Sequence, residues 1–222
     1  MFEKTAPTQR IAVLTGDVVD SRKVSDRRRL YRLLDDSLQR LASHHQGHAE
    51  RFRGDGFQIA LPQARHAMTT AIALRAALIE HSEPDQRWDA RIAVAVGPAR
   101  WHADLRIAEA DDAPFVASGR RLDRLGEGDA HLALTLLDDP DDGSLALLMR
   151  FLDDLLAGWS PYSAEVVQLS LERTLSQQAM ATHLGISQPS VYKRLKAARW
   201  PLLSDTLAYL ETRLADKDAG SS

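Results

Sequence analysis

Arg51-Phe-Arg-Gly-Asp-Gly-Phe-Gln-Ile-Ala60 is the stretch on which the fold turns. Gly54-Asp55-Gly56 has the composition of a tight hairpin turn, and the flanking segments 49–52 and 57–61 read as the two strands it joins. Toward the N-terminus, the run 10–16, Arg-Ile-Ala-Val-Leu-Thr-Gly, reads as a buried strand, and 25–42 carries helical periodicity. Toward the C-terminus come a helix over 64–80 and a strand over 88–97. The order is βαββαβ, the ferredoxin-like arrangement, in which both helices cover one face of an antiparallel sheet and the first strand lies centrally, beside the third. A further helix and strand are expected at 118–125 and 130–136. The fold class is therefore α+β for this palm-like part.

The composition changes at Leu137-Asp-Asp-Pro-Asp-Asp-Gly-Ser144, which continues neither strand nor helix and sets a boundary between domains at 1–140 and 144–222. Beyond it the periodicity is helical throughout: 144–159, 163–173, two short elements within 176–198, and 201–214. The short pair reads as a helix-turn-helix. Ser176 and Ser187 are N-caps, Pro189 sits just inside the second helix, and Gly185 permits the positive φ of the turn. Met180, Ala181, Leu184, Ile186, Val191 and Leu195 form the apolar seam. The outer face of the second helix then carries Ser187, Gln188, Ser190, Tyr192, Lys193, Arg194 and Lys196, with Arg199 beyond and no acidic residue between Ser187 and Arg199. Such a face suits phosphates and base edges, so double-stranded DNA is the expected partner. The alternative is a helical hairpin used only for packing. Proteins of this kind read two half-sites about 34 Å apart as symmetric dimers, which makes a homodimer the expected assembly. The leucines of 201–214 either pack at home or pair with a second subunit.

Composition bounds the rest. The chain has 222 residues, 44% hydrophobic and 27% charged, enough for a real core. No apolar run approaches the roughly 20 residues a bilayer requires, and the first residues lack an apolar signal core, so a cytoplasmic location is expected. Without cysteine, disulfides, thiol catalysis and Cys-bound metals are excluded. A net charge of −3 confines any DNA affinity to the basic helix. His44, His45 and His48 read as solvated loop residues rather than a zinc site, and the four tryptophans as packing residues at element ends.

Chemistry concentrates at the end of the first strand and at the hairpin tip. Asp17 closes the run 11–17, and Asp55 stands between two glycines. With the first and third strands adjacent, the two carboxylates could share a Mg²⁺ or Mn²⁺ ion that handles a nucleoside triphosphate. Gly54 and Gly56 would admit phosphates closely, with Arg22, Arg51 and Arg53 supplying positive charge. The plain alternative is a good hairpin turn and a helix-capping aspartate.

Leu14-Thr-Gly-Asp-Val-Val-Asp20, Arg51 to Ala60, Arg91-Ile-Ala-Val-Ala-Val-Gly97 and Val116-Ala-Ser-Gly-Arg-Arg-Leu-Asp123 resemble the successive motifs of class III nucleotidyl cyclase catalytic domains. Over nearly its whole length the chain is also similar to the SatD-like family, through Thr15-Gly-Asp-Val-Val-Asp-Ser-Arg22, Gly54-Asp-Gly-Phe-Gln58 and the helix-turn-helix. The cyclase resemblance implies Asp17, Asp55 and the Val18 carbonyl as metal ligands. It implies Gly16, Arg22, Arg51, Gly54 and Gly56 as the nucleotide-binding set, and Arg121 as the catalytic arginine on the transferring phosphate. The chain departs from the cyclase pattern at Ala117, where an asparagine is usual, and at Ala110, with Asp111 and Asp112 one and two places late. Loss of a transition-state group costs a factor of roughly 10² or more in rate. The resemblance thus implies a DNA-binding transcriptional regulator whose palm binds a nucleotide or mediates dimerisation, ahead of the alternative, a metal-dependent nucleotidyl cyclase or other nucleotidyl-transfer enzyme with a DNA-binding tail.

Overall fold

The computed structural model describes residues 8–52, 54–139, 143–172 and 175–215. Five strands form one sheet: β1 (Thr8–Val18), β2 (His48–Arg51), β3 (Phe57–Leu61), β4 (Ala90–Arg100) and β5 (Leu132–Leu136). Their order is β2-β3-β1-β4-β5. The first four are antiparallel, the βαββαβ order expected, and β5 joins parallel to β4. Helices α1 (Arg27–His44) and α2 (Ala67–Glu80) lie on one face with Ala12 and Leu14 of β1. On the other, Ile11 and Val13 meet Phe115 of α3 (Ala113–Leu125). Period-two alternation along β1 therefore feeds two separate apolar layers.

Among the described residues five further helices follow: α4 (Ser144–Ala157), α5 (Pro161–Glu172), α6 (Gln177–Leu184), α7 (Gln188–Ala197) and α8 (Trp200–Leu214). They do not stand apart from the sheet. One continuous cluster joins β1, α1 and α2 to Met149 and Leu156 of α4, Val167 of α5 and Leu203, Leu207, Leu210 and Leu214 of α8. The leucines of the last helix thus pack at home, although Leu202 stays exposed. α2 lies between the sheet and these helices, and so all its residues from Ala67 to Ile79 except Thr69 are buried.

A polar hub sits inside this junction. Arg75 of α2 is fully buried and donates to Asp89 through Nε and Nη2, at 2.8 and 3.0 Å, and to Asp153 of α4 through Nη1 at 2.6 Å. Burial opposes the charges of Arg75 and Asp89, but their mutual attraction outweighs it: the guanidinium is pushed up and the Asp89 carboxyl down from their ordinary values. Arg87 continues the tie by donating to the carbonyls of Leu156 and Trp159.

Helices α6 and α7 are joined through Gly185 at φ 64°, the left-handed region that favours glycine. Ser176 Oγ accepts from the Ala179 N–H and Ser187 Oγ from the Ser190 N–H, as N-caps do. Met180, Ala181, Val191 and Leu195 close on Val166 of α5, with Leu184 and Ile186 partly buried beside them. Among the described residues no helix is long and apolar enough to cross a membrane.

Candidate functional site

β1 runs past the apolar stretch 11–14 to Val18, which places Asp17 inside the ladder and opposite Arg91 of β4. That register pairs them. Arg91 donates through Nε to Asp17 Oδ1 at 2.8 Å and through Nη2 to Oδ2 at 2.9 Å, a bidentate fork that engages both carboxylate oxygens. Val18 is buried in the same ladder, opposite Ala90.

The last pair of the β1–β3 ladder is Gly16 with Phe57, and the tip residues Gly54, Asp55 and Gly56 lie beyond it. The Phe52 N–H donates to the Gly56 carbonyl at 2.8 Å and closes the turn, with Gly54 at φ 88°. Arg51 is spent on the fold: it forks onto Asp35 of α1, donates to the Gly54 carbonyl at 2.7 Å and lies over the Tyr31 ring. The hydrogen bond to Asp35 holds its guanidinium above the ordinary value. Gly16 serves packing as well, since a Cβ there would meet the Phe57 ring at 2.4 Å and the Arg91 carbonyl oxygen at 2.6 Å. Gly54 and Gly56 border open space and Arg22 is exposed just beyond β1; Arg53 lies outside the described residues.

A shared Mg²⁺ or Mn²⁺ requires carboxylate oxygens free to face it. Asp17 gives both of its oxygens to Arg91, and among the described residues no group of three or more His, Asp or Glu is placed to hold an ion. As folded, a cation at Asp17 would share both carboxylate oxygens with the Arg91 guanidinium. The missed residue is Arg91, whose charge across the sheet from Asp17 becomes visible only once the register is known.

Arg121 belongs to a different cavity. It lines a groove of about 350 Å³ between α3 and β5 with Arg120, Arg124, Thr135 and Leu137, and neither Asp17 nor Asp55 lines it. Its buried Nε has no partner among the described residues. Asp111 and Asp112 are drawn instead to Arg100, at 3.3 and 3.4 Å.

On α7, Gln188, Tyr192, Lys193 and Lys196 are exposed, as is Arg199, while Ser187 and Ser190 bond each other at the helix start. Arg194 departs from the expected outward set: it turns inward to Glu165 of α5 and lies over the Tyr162 ring at 4.6 Å. The histidines depart too. His45 stacks on His66 at 4.3 Å and meets His44 edge-on at 4.7 Å, and burial, then His66 and His44, lower its pKa to about 4.

No family model matches the chain, and no curated protein does. Among solved structures it is similar to the active GGEEF domain of a diguanylate cyclase from Vibrio cholerae, at 18% identity and TM-score 0.44 over 57% of this chain and 83% of that one. It is also similar to the GGDEF domain of DgcB from Caulobacter crescentus, at 13% and 0.44 over 57% and 77%. The monomeric guanylyl cyclase domain of the RhoGC fusion protein from Blastocladiella emersonii stands at 12% and 0.41 over 54% and 78%. Likenesses this distant settle neither ligand nor reaction, and the palm architecture rests on the strand order and registers of the chain itself.

Proposed function

We propose that the protein is a DNA-binding transcription regulator in which α6 and α7 act as a helix-turn-helix and α7 enters the major groove. The observation that carries this is the outer face of α7. Its inner residues Val191 and Leu195 are spent on the seam, while Gln188, Tyr192, Lys193 and Lys196 face solvent with Arg199 and no acidic residue among them. A hairpin built only for packing has no need of that segregation. Glutamine supplies a bidentate partner for adenine, and lysines neutralise phosphates.

For the palm, the reading is a nucleotide-responsive body rigidly joined to the DNA-reading helices. Support comes from the open tip at Gly54 and Gly56, the exposed Arg22, and the core shared with α4, α5 and α8. The enzyme alternative is disfavoured by the engagement of Asp17 with Arg91.

The test is binding of a mixed-sequence duplex, followed by fluorescence anisotropy across salt concentrations. Lys193→Ala with Lys196→Ala should weaken binding and shallow the log–log salt slope by about two, one for each phosphate no longer neutralised. An unchanged slope removes α7 from the interface.

A further inference from the structure

The inner face of α4, carrying Leu145, Met149, Leu152 and Leu156, is buried in the shared core. Its outer stripe is Leu147, Arg150, Phe151 and Asp154, which helical geometry gathers on one side. Phe151 is 66% exposed, the most exposed large apolar side chain among the described residues, and Leu147 is 51% exposed. Next to the protruding ring opens a groove of about 520 Å³, between α4 and the approach to β5 at Asp129, Ala130 and His131. Arg150 and Asp154 take part in no hydrogen bond or ion pair with another side chain among the described residues.

We infer that this face pairs with itself across a two-fold axis, so that a second copy of the chain is its occupant and α4 is the dimer interface of the regulator proposed above, on which reading the inference rests. A knob beside a hole on one surface is what an isologous contact requires: the Phe151 ring of each copy seats in the groove of the other. The charges select the same occupant. Arg150 and Asp154 lie one turn apart on α4, so two α4 helices running antiparallel set each arginine against the opposite aspartate. A partner of a single charge sign would leave one of them unmet.

Sedimentation equilibrium on the full chain decides it, with thermal melts confirming that each variant stays folded. The parent is expected to be a dimer, and Phe151→Glu a monomer. Arg150→Asp or Asp154→Arg alone should weaken the dimer about tenfold, and the two together should restore it, which loss of fold cannot mimic. A parent dimer unmoved by all four variants overturns the α4 interface while leaving the dimeric regulator standing. A parent that is monomeric at every concentration overturns both, and then the groove belongs to another partner.

Discussion

Asp17 and Arg91 meet because β1 and β4 are antiparallel with those two residues in register, and the fork between them sets a cation in competition with the guanidinium for both carboxylate oxygens. Mn²⁺ alone should therefore leave the melting temperature of the parent unchanged, whereas Arg91→Ala, which frees the carboxylate, should gain a Mn²⁺-dependent rise. A rise in the parent that Asp17→Asn abolishes would restore the cation to the site. His45 carries a second expectation. Its pKa falls from 6.5 to about 4 on folding, so between those values the unfolded chain binds a proton that the folded chain refuses. Stability should thus decline as pH drops from about 6.5 toward 4, and His45→Gln should flatten that decline in urea midpoints measured at the two ends. An equal decline in the variant would clear His45 of the effect. Asp17 and Asp55 were legible as carboxylates at a strand end and a turn tip; the partner of Asp17 was not, because a register depends on two segments 74 residues apart.

At the scale of elements, α2 is held on every side, and its one buried charge is met from two directions. Arg75→Met leaves Asp153 without its cation and Asp89 with Arg87 alone, and should cost about 3–5 kcal/mol in chemical denaturation. A loss under about 1 kcal/mol would mean that the hub is dispensable. Strand and helix order was readable from hydrophobic periodicity, and Ser176, Gly185 and Ser187 marked their turns because capping is local chemistry. The length of β1 was not readable: Asp17 lacks an apolar side chain, yet it continues the ladder because Arg91 neutralises it. Arg194 misled for a related reason, since a helical wheel gives the direction of a side chain but not the nearby Glu165 that captures it.

In the whole molecule a single core crosses from sheet to C-terminal helices. The acidic segment 137–144 has the composition of a turn, and such composition carries no information on whether the helices beyond it pack back; its residues 140–142 lie outside those described. The sign that they pack back was in α2, where Ala67–Glu80 offers almost no polar face to water. A fragment ending at residue 139 should accordingly expose the outer side of α2, bind an apolar dye and melt without cooperativity; a cooperative melt at the parent's temperature would show that the palm stands alone. The central claim remains that α7 reads DNA as part of a symmetric pair. The most direct measurement is selection of bound duplexes from a random-sequence pool by the full chain, with sequencing of the retained fraction. The account predicts enrichment of an inverted repeat with half-site centres about 10 base pairs, or a multiple of that, apart, and its loss with Lys193→Ala and Lys196→Ala. A retained pool indistinguishable from the input would contradict it.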